Sequence, residues 1–199
     1  MKRIIPLLVL VLLTGCARQE TGKQLQDQYR RVLQARMAAE VVWHGETADS
    51  AFSVTCVYHK GAGSTTTVSQ PEELAGLSAT VSGEDLTLTY EGAALPAGTL
   101  QEITVANCLP WLLEAAAEGY VREVSREVLE GEECLRLALE TTGPDGRTVL
   151  CTGWFFSRDL TPCYVEFSRD GRLLVTARLL QFDCYLSDTE ESEQHKKSI

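Results

Sequence analysis

Few side chains in this sequence could do acid–base or nucleophilic chemistry. Its three histidines are His44, His59 and His195, and the last lies in a polar tail. A serine nucleophile is typically held in a Gly-x-Ser-x-Gly turn between strand and helix, and we find none. A phosphate-binding loop and a His-Glu-x-x-His pair are missing as well. The glutamate pairs 72–73 and 132–133 fall in predicted turns, where solvated charges are the rule. We therefore expect a protein that is not an enzyme and binds no metal or cofactor.

Seven cysteines supply the thiols, and Cys16 stands apart from the rest by its position. The other six are Cys56, Cys108, Cys134, Cys151, Cys163 and Cys184. Outside the cytoplasm such a set can form disulfides, whose connectivity the sequence does not decide. Buried reduced thiols that act as small apolar side chains are the alternative. A zinc site at Cys56 and His59 is not expected, because residues three apart on a strand point to opposite faces.

Cys108 lies near a predicted helix start, where the pKa of a thiol can be lowered. No partner histidine is apparent nearby in the sequence, so a catalytic thiol is not expected. A thiol-redox role for the six cysteines remains a third, weaker hypothesis.

The amino-terminal end predicts export. Lys2 and Arg3 precede an apolar run from Ile4 to Leu13, and small residues follow it. This is the arrangement of a signal peptide. The run is too short to span a bilayer, which needs about 20 apolar residues.

The segment Leu13-Thr14-Gly15-Cys16 resembles the lipobox of bacterial lipoproteins. The resemblance implies that residues 1–15 are removed and that the Cys16 thiol carries a diacylglycerol group. Two or more acyl chains anchor a protein stably to a membrane. An ordinary signal peptide followed by a chance cysteine is the alternative.

Composition indicates one globular domain with a strong negative charge. The chain is 44% hydrophobic and 23% charged, which is ordinary for a folded domain. It has 18 Lys and Arg against 28 Asp and Glu, a net charge of −10; without Lys2 and Arg3 the balance becomes 16 against 28, or −12. That sign argues against nucleic acid as a partner and against a basic patch on anionic lipid. Membrane attachment is therefore expected from the acyl chains.

After a tether over residues 16–22, the period of apolar residues predicts a helix from Lys23 to about Val41. Leu25, Tyr29, Val32, Leu33 and Met37 form its apolar stripe. From Phe52 onward the period becomes two, which indicates strands.

Asp-Gly and Gly-Pro-Asp-Gly pairs mark hairpin turns between the later strands. Asn107 is predicted to cap a short helix that has Pro110 in its first turn, ends before Gly119 and buries Leu109, Leu112, Leu113 and Ala116. The predicted strands are Phe52–Tyr58, Ser64–Ser69, Leu77–Val81, Leu86–Tyr90, Leu100–Val105, Tyr120–Leu129, Leu135–Leu139, Val149–Phe156, Cys163–Ser168 and Leu173–Phe182, with loops at 71–76 and 91–98.

The order of elements predicts an α+β fold that is mainly β. A curved antiparallel sheet over residues 23–186 would be covered by the amino-terminal helix and the short internal helix. Long antiparallel sheets curl as they twist, so the concave face needs such a cover. The tail over 187–199 is polar and is predicted to be disordered.

This order of elements resembles the LolA/LolB-type lipoprotein-carrier fold, and more narrowly the GerS-type germination lipoproteins of spore-forming Firmicutes. The similar segments are Pro71–Ala79, Tyr90–Gly92, Trp154–Phe156, Leu160–Phe167 and Asp170-Gly171. The resemblance covers about Leu25 to Phe182. It implies an unclosed half-barrel lidded by helices, with a cavity for acyl chains or an apolar segment of a partner. A chain tethered at Cys16 cannot shuttle cargo as LolA does.

The residues expected to line such a cavity are Trp43, Phe52, Tyr90, Trp111, Leu112, Trp154, Phe155 and Leu179; the alternative is that they form an ordinary closed core. The principal hypothesis is a membrane-anchored lipoprotein that binds a protein partner, for instance a cell-wall hydrolase, in support of germination. Its expected location is the outer face of the cell membrane or the spore inner membrane. The alternative is a carrier that holds lipid or lipoprotein acyl chains in the half-barrel.

Overall fold

The computed structural model describes residues 21–187. The predicted signal peptide at 1–15, the predicted lipidation site Cys16, His195 and the rest of the predicted tail from 188 lie outside the described residues. The elements follow in the order α1 (21–30), β1 (Val32–His44), β2 (Asp49–His59), β3 (Gly63–Gln70), a short 3-10 helix (Glu72–Leu74), β4 (Ser78–Ser82), β5 (Asp85–Tyr90), β6 (Ala93–Thr99), α2 (Cys108–Glu118), β7 (Tyr120–Leu129), β8 (Glu132–Thr142), β9 (Thr148–Phe156), β10 (Pro162–Arg169) and β11 (Arg172–Leu186).

All the described strands belong to one antiparallel sheet with the order β6-β5-β4-β3-β2-β1-β11-β10-β9-β8-β7. Two meanders, β1–β6 and β7–β11, meet where the first strand pairs with the last, so that Val32 lies opposite Leu186. The sheet is not closed, because β6 and β7 pair on one side only. The predicted fold class, a mainly β, unclosed half-barrel with two helices, is confirmed.

The core lies on the concave face, between the sheet and the two helices. On β1, buried Ala35, Met37, Ala39 and Val41 alternate with the outward-facing residues Arg36, Ala38 and Glu40. Helix α1 buries Leu25 and Tyr29, and the Tyr29 hydroxyl donates a hydrogen bond to the Leu160 carbonyl oxygen at 2.8 Å. The ring of Tyr29 packs edge-on against Phe155, 5.4 Å away between centroids. Within residues 21–187, neither helix has the length and apolar character needed to cross a bilayer.

The helix predicted for Lys23–Val41 is wrong beyond residue 30. Val32, Leu33 and Met37 belong to strand β1, which pairs with β2 on one side and β11 on the other. Alanines at 35, 38 and 39 are strong helix formers and are depleted in strands, so the local pattern favours a helix. Pairing on both sides decides in favour of the strand.

Two assignments between β5 and α2 were also wrong. The segment predicted as a loop, 91–98, contains the edge strand β6, where Pro96 is tolerated because one side of the strand has no partner. The strand predicted for Leu100–Val105 is an irregular segment instead. The buried side chain of Asn107 holds this segment, because its Oδ1 accepts a hydrogen bond from the Thr104 N–H at 2.7 Å and its Nδ2 donates to the Glu102 carbonyl at 3.1 Å. Asn107 therefore precedes α2 without capping it by its side chain.

Candidate functional site

Helix α2 fills the middle of the concave face. It connects the two edge strands of the sheet, β6 and β7, and crosses the concave side between them. Eight of its residues are buried: Cys108, Leu109, Pro110, Leu112, Leu113, Ala115, Ala116 and Ala117. All four residues predicted for its buried face are among them. Small alanines let the helix approach the sheet closely, so little apolar space remains beneath it.

An apolar groove remains beside α2, above strands β1 to β5. Its volume is about 260 Å³. Its apolar walls are Trp43, Phe52, Val68, Leu74, Leu77, Ala79, Leu88 and Val105, and Glu102 is the one charged residue of its lining. The groove is open to solvent on one side, since the side chains of Trp43 and Leu74 are each 38% exposed.

A larger cleft opens at the end of the half-barrel where β2 turns into β3. Its volume is about 780 Å³, and α1, α2, β7 and β8 also contribute to its walls. The lining includes the aromatic residues Tyr29, Tyr58, Trp111 and Tyr120 and the charged residues Lys60, Glu114, Glu118 and Glu140. This cleft was not predicted from the sequence. The sequence feature that indicates it is the helical spacing of Trp111, Glu114 and Glu118. This spacing marks the exposed side of an otherwise apolar helix.

The structure divides the predicted cavity-lining residues among five places. Trp43 and Phe52 line the apolar groove, while Trp111 lines the cleft. Leu112 and Phe155 are fully buried, Leu179 packs against the same core, and Tyr90 is exposed at the end of β5. The closed-core alternative therefore describes Leu112, Phe155 and Leu179 better than a cavity does.

Trp154 does not line the concave face. It neighbours Phe155 on β9, so the two side chains point to opposite faces of the sheet. On the outer face its indole N–H donates a hydrogen bond to Glu127 Oε2 at 2.9 Å, and the Arg136 guanidinium lies over its ring at 5.5 Å. Trp154 thus belongs to a small outer cluster with Cys134 and Cys163.

The six cysteines are free thiols in the structure, and all except half-buried Cys184 are buried. The Sγ atoms of Cys134 and Cys163 lie 3.7 Å apart on the outer face. Burial raises the pKa of Cys108 to about 12, so the lowering considered for a thiol at a helix start does not occur. Burial also raises the pKa of Cys56 to about 11. Thiols with such values are protonated at neutral pH and are poor nucleophiles.

His44 is part of the one arrangement that resembles a catalytic triad among residues 21–187. Its Nδ1 lies 3.0 Å from Asp49 Oδ2, and its Nε2 lies 3.4 Å from Thr176 Oγ1. Thr176 belongs to an interior strand whose backbone pairs with β1 and β10, so the neighbouring N–H groups are committed to the sheet. An oxyanion would find no free backbone donors there. In the same residues, no group of three or more His, Cys, Asp or Glu side chains is arranged to hold a metal ion.

Comparisons with known proteins concern the fold. No protein-family model matches the chain, and no curated protein matches it. Among solved structures, a LolA superfamily protein from Nitrosomonas europaea matches with a TM-score of 0.44 and 13% identity, over 88% of this chain and 96% of that one. LprF from Mycobacterium bovis matches with a TM-score of 0.47 and 8% identity, over 86% and 96%.

The structure of the CwlD amidase from Clostridioides difficile in complex with the GerS lipoprotein also matches. The TM-score is 0.37 and the identity 16%, over 84% of this chain and 92% of that one. The matching structures thus include a LolA superfamily protein and a complex that contains the GerS lipoprotein.

Proposed function

We propose that this chain is an extracytoplasmic lipoprotein, anchored through acyl groups on Cys16, that binds a protein partner without catalysing a reaction. The observation that carries the proposal is the depth of α2 in the concave face. Leu109 and Leu112 are fully buried against the sheet, where a lipid carrier would need open apolar space. The space between α2 and the sheet is therefore occupied by the protein's own core.

The volume of the apolar groove supports partner binding over lipid carriage. Sites for small molecules typically have volumes of about 300–1,000 Å³ and enclose most of the ligand. A groove of about 260 Å³ that is open on one side falls below this range. It can accept one or two apolar side chains from a protein surface, whereas the two acyl chains of a lipid need more room. Partially exposed Trp43 at its rim suits such a contact, because tryptophan is enriched at protein interfaces.

The first partner to test is a cell-wall hydrolase, because the sequence resembles GerS-type lipoproteins, and the first place to look is the spore envelope. The full-length protein would be isolated from its native envelope in mild detergent after brief cross-linking. We expect a defined protein to co-purify in near-stoichiometric amount, and mass spectrometry would identify it. A chain that emerges without a protein partner but with bound lipid, detected by native mass spectrometry, contradicts the proposal.

A pair of variants on β2 tests whether lipid binds in the groove or elsewhere on the surface. Phe52 lines the groove, while Val57 lies on the opposite face of the same strand and is 38% exposed. Phe52→Asp and Val57→Asp add the same charge to the two faces. If the groove holds lipid, the Phe52→Asp variant loses the bound lipid and the Val57→Asp variant keeps it. On our proposal, neither variant carries lipid in the groove. Circular dichroism would verify that both variants are folded.

A further inference from the structure

Helix α2 exposes a single stripe of side chains, and that stripe forms the floor of the cleft at the end of the half-barrel. Of its eleven residues, only Trp111, Glu114 and Glu118 are not buried. They follow the i, i+3, i+7 spacing that places residues on one helix face. All three line the cleft of about 780 Å³. The one surface that this central helix offers to a partner is therefore aromatic and acidic.

The charges around the cleft leave one carboxylate without a counter-ion. Glu118 pairs with Arg30 at 3.4 Å, and Glu140 pairs with Arg122 at 3.4 Å. The cation in the lining, Lys60, donates a hydrogen bond from Nζ to the Arg30 carbonyl oxygen at 2.6 Å. Glu114, by contrast, has neither an ion pair nor a hydrogen bond with residues 21–187. Glu114 is therefore the carboxylate of the lining that is available to pair with a cation from outside the chain.

The environment of Glu114 makes its negative charge costly. Desolvation by the surrounding walls raises the pKa of Glu114 above its ordinary value, although the side chain remains accessible from the cleft. Burial, and then the charge of Glu114, raise the pKa of Tyr58 to about 12, and both residues line the same cleft. A positive charge bound beside Glu114 would relieve both effects, because an opposite charge favours the ionised carboxylate.

The aromatic walls favour a planar cation. Tyr58 and Trp111 line both this cleft and an adjoining cavity of about 300 Å³, in which Glu114 also takes part. A guanidinium group stacks on aromatic faces and forms paired hydrogen bonds with a carboxylate, whereas an ammonium group is more strongly hydrated and lacks the planar fork. A carboxylate that shares a cleft with aromatic side chains is therefore suited to arginine.

We propose that the cleft binds the guanidinium group of an arginine presented by a protein partner, with Glu114 as its counter-ion and Tyr58 and Trp111 as its aromatic walls. This inference rests on the proposed partner-binding function and names the chemistry by which the partner is held. An arginine at the centre of an interface, packed in a pocket, is a common anchor residue.

The test follows the indole N–H signals of the full-length protein in detergent micelles by NMR. There are three such signals, from Trp43, Trp111 and Trp154, and Trp111→Phe assigns the relevant one. The probe is the peptide acetyl-Gly-Arg-Gly-amide, compared with the same peptide carrying citrulline or lysine. We expect a saturable shift of the Trp111 signal with arginine, a much weaker one with lysine, and none with citrulline. The Trp154 signal, held by Glu127, serves as an internal reference.

Two charge-neutralising variants complete the test. Glu114→Gln should weaken binding of the arginine peptide by about tenfold or more, which corresponds to a loss of one counter-ion. Glu73→Gln removes the same charge from the short helix after β3, outside the cleft, and should bind as the original protein does. The guanidinium site is overturned if the shift of the Trp111 signal does not saturate, or if the arginine, lysine and citrulline peptides shift it equally. It is also overturned if the two variants bind the arginine peptide equally.

The same variants separate this inference from the proposed function. Capture of the partner by Glu73→Gln but not by Glu114→Gln supports both the proposed partner-binding function and the guanidinium site in the cleft. Equal capture of the partner by the two variants overturns the assignment of the cleft as an arginine site and leaves the proposed partner-binding function intact. If the arginine peptide binds as expected but the envelope yields no protein partner, the proposed function fails while the cleft remains a guanidinium site.

Discussion

At the scale of single residues, the clearest structural contact is the ion pair between Asp145 and Arg169. It joins the β8–β9 turn to the end of β10, through hydrogen bonds of 2.9 and 3.0 Å from the guanidinium to the carboxylate. The side chains are 11% and 10% exposed. Desolvation raises the pKa of Asp145, but hydrogen bonds from the backbone and side chain of Arg147 and the charges of Arg169 and Arg147 outweigh it, so that its pKa is lowered overall.

We expect Asp145→Asn to lower the melting temperature at neutral pH. Since the folded-state pKa of Asp145 is depressed, its stabilising effect is complete above the ordinary pKa of an aspartate and disappears as the pH falls through the depressed value. The difference between the original protein and the variant should therefore shrink on acidification. Thermal unfolding followed by circular dichroism at several pH values measures it. Asp85→Asn, at an exposed position on β5, is the control, and a difference independent of pH would contradict the explanation.

The sequence reveals only half of this contact. Gly143-Pro144-Asp145-Gly146 predicts a turn, and Gly146 has the positive φ of 77° that such a turn requires. The partner Arg169 lies 24 residues further on, in the next hairpin, and only the register of β9 and β10 brings it close. Likewise, the sequence predicts Trp154 as a cavity residue, whereas the alternation along β9 places its side chain on the outer face. Glu114 could have been noticed, because charge at helical spacing in an apolar helix marks its exposed side.

At the scale of elements, α2 determines what the half-barrel can hold. Its leucines are buried in the space that would otherwise be a cavity, and Leu112 also lies 3.6 Å from the point where a Cβ on Gly153 would be. A side chain at 153 would collide with the Phe155 ring, which folds back over this position at 2.7 Å. The glycine thus allows the helix, the ring and the strand to approach one another.

We expect Leu112→Ala to reduce the free energy of unfolding by about 3 kcal/mol, since truncating a buried leucine typically costs about 2–5 kcal/mol. Chemical denaturation of the full-length protein measures the change. Leu95→Ala on the edge strand β6, where the side chain is 64% exposed, should change stability by less than about 0.5 kcal/mol. Equal effects of the two substitutions would mean that α2 is not packed in the concave face as described.

Sequence patterns predicted most strands because their polar and apolar residues alternate strictly. They failed at β1, where alanines obscure the period, and at β6, whose proline and glycine are typical of loops. Strand β1 is specified by pairing with β11, which is distant in sequence, and β6 by pairing with β5 just before it, rather than by their own residues. The predicted half-barrel was right, yet the depth to which α2 fills it depends on tertiary packing, which no local pattern contains.

At the scale of the whole molecule, attachment to the membrane should depend on one thiol. Cys16→Ser removes the atom that the lipobox resemblance implies is acylated, so we expect the variant to leave the membrane fraction. Cys184→Ser, at a half-buried thiol of the folded domain, should stay membrane-bound and serves as the control. Fractionation without detergent and the mass of the purified chain measure the outcome. Retention of Cys16→Ser on the membrane would exclude this mode of anchoring.

The pairing of β1 with β11 at the centre of the sheet affects how the protein folds. Strand β1, the first in the chain, receives its second neighbour only when β11, the last strand, pairs with it. Such long-range pairing forms slowly. Until then the inward-facing side chains of β1 have half of their sheet missing. The order of strands thus delays completion of the core until the last strand is in place.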